Sequence, residues 1–174
     1  VVKMLLAVDG IQVNQANIRG WTPLNVACSN GHSKVVEMLL AVDDIQVNQA
    51  DENGCTPLYG ACWNQRYGCG GDHSKVVEIL LAVDDILVNQ ANDNGSTPLN
   101  IACEQGHSKV VKMLLAVDGI QANQANNNGF TPLMVAVRNC SLEAVDRSHI
   151  DIAIQLIQLG IGHNNTNEWF HINK

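Results

Sequence analysis

The chain has 174 residues, a formal charge of -7 and six cysteines. Ten Lys and Arg against seventeen Asp and Glu argue against a bare nucleic-acid binder, because that binding rests on cations neutralising phosphates. No run of 18 apolar residues occurs, so no membrane span is expected, and 46% apolar residues with only 4% aromatics leave Ala, Val and Leu to do the packing.

The chain opens inside a helix-like run, Val-Val-Lys-Met-Leu-Leu, and residues 1–12 are identical to residues 110–121. The first unit is therefore partial, and the expectation is a fragment of a longer array. Next comes a phrase that occurs four times, Gly-x-Thr-Pro-Leu, with threonines at Thr22, Thr56, Thr97 and Thr131 and spacings of 34, 41 and 34. A fixed period of this length signals stacked repeats, each too small to hold a core alone.

The unit is clearest from Asp93 onward. Asn94-Gly95 is a turn signal, because Gly accepts the positive φ of tight hairpins. Thr97 is a good N-cap, and Pro98 at the first helical position loses no hydrogen bond. The helix carries Leu99, Ile101, Ala102 and Cys103 and ends at Gly106. A second helix begins at His107-Ser108, with Val110, Val111, Met113, Leu114 and Leu115 at helical spacing. Asp118-Gly119 breaks it, and residues 120–123 are expected to be extended, leading into the next hairpin.

This unit resembles the ankyrin repeat, whose pattern runs Thr-Pro-Leu-His-x-Ala, Gly-His, a Leu-Leu pair, then Val-Asn. The tetratricopeptide repeat has a similar period but places its Pro at the end of the unit; here Pro23, Pro57, Pro98 and Pro132 open the first helix. The resemblance implies an all-α solenoid of stacked helix-turn-helix units joined by β-hairpin loops. One array over 1–162 is expected, as a partial repeat 1–16 and repeats 17–50, 51–91, 92–125 and 126–162, with a C-terminal tail 163–174. The family's His after Thr-Pro-Leu is replaced by Asn25, Tyr59, Asn100 and Met134. That His ties adjacent hairpins together; Asn25 and Asn100 suit part of the task, and Met134 does not.

Seven extra residues at 65–71 and eight within 140–148 interrupt the period, both between a first and a second helix. In the last unit Gln155 replaces the apolar column of Met38, Ile79 and Met113, as suits a cap with no repeat beyond it. The Asn-rich tail either folds Trp169 and Phe170 back over the stack or stays mobile.

Little of this reads as catalysis. Cys28, Cys62 and Cys103 occupy one column and suit a small buried position. Unpaired cysteines of this kind suggest an intracellular, cytoplasmic setting. His32, His73 and His107 recur one per unit and cannot converge on one ion at about 2 Å ligand distances. No phosphate-binding loop and no nucleophile elbow occurs. The chain is expected to be no enzyme, with no cofactor, no metal and no small-molecule substrate.

The resemblance instead implies a protein partner, bound in a concave groove of hairpin tips and first helices. The matching positions are Arg19, Trp21 and Asn30; Glu52, Asn53, Cys55, Trp63 and Asn64, with Arg66 and Tyr67 on the first insertion; Asp93, Asn94, Ser96, Glu104 and Gln105; and Asn127, Asn128, Phe130 and Arg138. Trp21 with Arg19, Trp63, and Phe130 with Arg138 are candidate anchors, since aromatics and Arg dominate interface energetics. The other reading is that each ring packs on the neighbouring hairpin and shields the core. Glu52, Asp93 and Glu104 make the middle acidic, which suits a partner with basic residues. The expected function is a protein-binding module, monomeric unless its uncapped N-terminal end self-associates. The alternative is a structural spacer within a larger protein whose activity lies elsewhere.

Overall fold

The computed structural model describes residues 1–63, 73–139 and 147–162. In chain order its helices are α1 (Val2–Leu6), α2 (Pro23–Ser29), α3 (Ser33–Leu40), α4 (Pro57–Cys62), α5 (His73–Leu81), α6 (Pro98–Gln105), α7 (Ser108–Leu115), α8 (Pro132–Arg138) and α9 (Arg147–Gln158). First helices stack on first helices, α2 on α4 on α6 on α8, and second on second, α3 on α5 on α7 on α9. The result is an all-α solenoid. No described helix is long and apolar enough to cross a membrane.

Each first helix starts where the sequence places it. The hydroxyls of Thr22, Thr56 and Thr97 accept from the backbone N–H three residues on at 3.2 Å, and that of Thr131 at 3.4 Å. Such a cap stabilises by about 1 kcal/mol. Gly106 ends α6 at φ 76, and a Cβ there would meet the His149 ring at 2.8 Å. Between the helices the core runs in columns, Leu24–Leu58–Leu99 and Leu39–Leu80–Leu114–Leu156, all buried. Truncating any one to Ala would cost about 2–5 kcal/mol. Cys28, Cys62 and Cys103 lie in this core unpaired, and burial pushes their thiols up, that of Cys103 to about 12.

The hairpins differ from expectation, since no β-strand occurs among the described residues. Each loop closes with two backbone bonds, such as Asn17 N to Trp21 O at 3.0 Å and Gly20 N to Asn17 O at 2.9 Å. A side chain then caps it: Asn17 Oδ1 accepts from the N–H groups of Arg19 and Trp21, and Asp51, Asn92 and Asn126 repeat this one unit at a time. Five residues with an internal cap leave no room for a ladder. Residues 122–123 likewise form a turn, so 120–123 is not one extended run, with Gln124 N donating to Gln121 O at 3.1 Å.

Two rows of bonds tie unit to unit. At the tips, Glu52 N donates to Arg19 O, Asp93 N to Asn53 O and Asn127 N to Asn94 O, at 3.0 to 3.1 Å. At the opposite edge the side chains of Asn14, Asn48 and Asn89 each grip the turn after the next second helix. Asn48, for example, donates to Asp85 O at 2.7 Å and accepts from Leu87 N at 3.0 Å.

In the last unit Gln155 is half-buried, like Met38, Ile79 and Met113 in its column. The Gln155 Oε1 is buried with no hydrogen-bond partner, while Ile150, Ile154 and Ile157 lie half-exposed on the outer side of α9. The insertion at 65–71 and the tail 163–174 lie outside the described residues, as does most of the insertion at 140–148, whose last residues begin α9.

Candidate protein-binding surface

The hairpin tips project Arg19, Glu52, Asn53, Asp93, Asn94, Asn127 and Asn128 to solvent, with Ile18 the most exposed large apolar residue among them. Their positions follow from the caps just described, which leave the tip side chains outside the bonding. Asn127 is the exception, donating through Nδ2 to Asp93 O at 2.9 Å. Behind the tips, Trp21, Cys55, Ser96 and Phe130 occupy one register, just before the Thr caps. Trp21, Cys55 and Phe130 are half-buried. Ser96 is buried against Tyr59, whose hydroxyl burial pushes up to about 12, so it belongs to the frame and does not reach the groove. Asn64, Arg66 and Tyr67 lie outside the described residues.

Trp21 is held in place. Its indole Nε1 donates to Asp51 Oδ2 at 3.0 Å across the unit boundary, which fixes the ring on the neighbouring hairpin. Trp63, at the C-terminal end of α4, remains 42% exposed. Between the two rings is a small notch of about 90 Å³ lined by Trp21, Asn30, Cys55, Gly60 and Trp63 among others. Its cause is Gly60. The same register holds Val26, Ile101 and Val135 in the other units, and at position 60 a Cβ would meet Ser29 Oγ at 2.5 Å. The missing side chain lets α4 approach α2 and leaves the cavity. Cys55 lines it as a neutral thiol, pushed up to about 11 by burial and then by the Asp51 carboxylate.

At the other end Arg138 lies over the Phe130 ring, 4.8 Å from guanidinium carbon to centroid, and reaches Glu104 Oε1 at 3.8 Å. Both Arg138 and Glu104 are roughly half-exposed, so the ion pair itself contributes at most about 1 kcal/mol. The Glu104 carbonyl also accepts from Asn139 Nδ2 at 2.9 Å and pairs with His149 Nε2 at 3.0 Å. The acidic middle formed by Glu52, Asp93 and Glu104 is thus partly answered by Arg138. Asn30 spends its Nδ2 on Val26 O at 2.7 Å, and Gln105 is half-buried at the end of α6.

In α2, α4 and α6 the third position bridges to the next hairpin, as expected for Asn25 and Asn100. Asn25 Nδ2 donates to Gln49 O and Asn100 Nδ2 to Phe130 O, both at 3.2 Å. Tyr59 does so too, accepting from Asn92 Nδ2 at 3.3 Å. Two of the histidines reach back to the preceding unit: His73 Nε2 pairs with Ser29 O at 3.2 Å and His149 Nε2 with Glu104 O at 3.0 Å, whereas His107 Nε2 is buried with no hydrogen-bond partner among the described residues. Among the described residues no group of three or more His, Cys, Asp or Glu side chains is placed to hold a metal. Sequence reasoning missed Asp51, Asn92 and Gly60, although each stands in a register that the four copies expose.

A family model described as Ankyrin repeats (3 copies) matches residues 1–89 and 67–167. No curated protein matches the chain.

Proposed function

This chain belongs to the ankyrin-repeat family, and from that premise we propose that it binds a protein partner across its hairpin tips and first helices, with one partner side chain entering the notch beside Gly60. Ankyrin repeats are generally protein-interaction modules and generally non-enzymatic. The observation that carries the finer reading is the notch itself. It gathers Trp21, Asn30, Cys55 and Trp63, four positions named as contacts, around one concavity. A cavity of this size accepts a single aliphatic or basic side chain. The Phe130–Arg138 stack forms a second contact one unit beyond α6. Frame and surface are separate here, since the caps and columns hold the units while the groove side chains vary between them.

The test is selection of peptides from a random display library against the chain, followed by affinity measurements on variants. Trp63→Ala, Phe130→Ala and Gly60→Ser should each weaken the selected peptides by about tenfold or more, with the helical circular dichroism kept. Lys34→Ala, on the second-helix side, should change nothing. Peptides that tolerate all three groove changes and lose affinity with Lys34→Ala would place recognition on the other face.

A further inference from the structure

Four residues share one task in the hairpin loops. Asn17, Asp51, Asn92 and Asn126 each accept through Oδ1 from two backbone N–H groups of their own loop. Three of the four are Asn, so the task needs an oxygen and no charge. Asp51 nonetheless brings a carboxylate, and it does so in the unit whose first helix carries Gly60 where the others carry Val or Ile. That carboxylate lines the notch of about 90 Å³ together with the side chains of Trp21 and Trp63. Among the described residues no Lys, Arg or His lines it, and Arg19 on the adjoining tip points to solvent. The notch is thus aromatic and negative at once. Cys55 registers that field, since burial pushes its thiol up first and the Asp51 carboxylate adds to the push. Trp attracts a cation over its ring more strongly than Tyr or Phe does, and the charge of a half-buried carboxylate is screened less than that of an exposed one.

Hydrogen bonding chooses between the two basic side chains. An ionised carboxylate offers about four acceptor sites. On Asp51, Oδ1 takes the N–H groups of Asn53 and Cys55 at 2.9 Å, and Oδ2 takes the Trp21 indole at 3.0 Å. One site on Oδ2 is left. Arg presents a rigid fork that matches two acceptors side by side, whereas a Lys ammonium is a compact point charge that can use one. We propose that the notch is a lysine pocket, in which a partner lysine reaches between Trp21 and Trp63 and sets its ammonium on Asp51 Oδ2. This rests on the reading of the notch as a contact point and names the side chain that it takes.

The experiment titrates the 174-residue chain with acetyl-Gly-Gly-Lys-Gly-Gly-amide and follows the indole N–H signals of Trp21 and Trp63 by NMR. Both should move and saturate, with a Kd of about 1–10 mM. The same peptide with norleucine or arginine in place of lysine should bind about fivefold more weakly or worse. Asp51→Asn should weaken the lysine peptide by about fivefold or more, and it keeps the loop cap, which Asn makes in the other three units. Trp63→Ala should do the same with Asp51 and Trp21 left in place. Asp85→Asn, at the opposite edge of the solenoid, should not. Norleucine binding as well as lysine would overturn the proposal and leave the notch as a contact for an apolar side chain. Arginine binding more tightly than lysine, or Asp51→Asn binding as well as the parent chain, would overturn it too. Indole signals that stay still with all three peptides up to about 50 mM would overturn it outright, and the library selection would then decide the groove by itself.

Discussion

Asn89 donates through its side-chain Nδ2 to the backbone carbonyl of Gly119 at 2.9 Å, thirty residues along the chain. The same amide accepts from Gln121 N at 2.9 Å, so one half-buried side chain grips both sides of the next turn. Asn89→Ala should therefore destabilise the chain by about 1–2 kcal/mol, the sum of two ordinary hydrogen bonds. Asn89→Asp should do no better, since it keeps the acceptor toward Gln121 and sets a carboxylate oxygen against the Gly119 carbonyl. Urea unfolding followed by circular dichroism measures both, and midpoints equal to the parent chain would show that the grip contributes nothing.

Asp44 sits at φ 60, whereas its counterparts Gly10 and Gly119 take φ 77 and 79. Left-handed backbone costs a side chain about 1–2 kcal/mol, less for Asp than for most. Asp44→Gly relieves that strain and keeps the Asp44 carbonyl that Asn14 Nδ2 reaches at 2.8 Å. A rise in melting temperature corresponding to about 0.5–1 kcal/mol is expected. A fall would mean that the aspartate side chain does more than occupy the turn.

Burial holds the His107 imidazole below its ordinary value of 6.5, and His73 and His149 push it the same way. In the unfolded chain the ring binds a proton near that ordinary value, while in the folded chain it binds one only at lower pH. Between those two values the unfolded state holds more protons, so stability falls as pH drops below 6.5 and the contribution is complete above it. Urea midpoints at about pH 7.5 and about pH 5.5 should show the loss, and His107→Gln should flatten it. An unchanged slope in that variant would move the effect to another group.

Cys28, Cys62 and Cys103 are buried and their thiols are pushed up by that burial. The thiolate is the reactive form, so iodoacetamide near neutral pH should leave these three unmodified in the folded chain. Urea should expose them together. Peptide mapping by mass spectrometry reads the result, and modification of Cys62 in the folded chain would contradict the packed core.

The repeat phrase made the helices and core columns legible because their causes are local. Thr-Pro opens a helix wherever it stands, and apolar residues at helical spacing name the buried face. The hairpin loops stand where the turn signals put them, but their lack of a β-ladder was not legible, because their closure depends on a contact that periodicity does not report. Asn92 caps the loop from two residues before Asn94, the residue that carries the turn signal. The concave face was only partly legible for a similar reason. Ser96 shares a register with Trp21 and Phe130, yet Tyr59 in the preceding unit draws it inward. The notch was written in the sequence as an absence, a Gly where three other units carry Val or Ile.

The tips of neighbouring hairpins are joined through main-chain atoms, Arg19 O to Glu52 N and Asn53 O to Asp93 N. Peptide groups are common to every amino acid except proline on the donor side. The spine can therefore be transcribed unchanged while its lettering is rewritten. A lineage that swaps Arg19, Asn53 or Asn94 for other residues inherits the same ruled lines, and a change of correspondent requires no change of architecture.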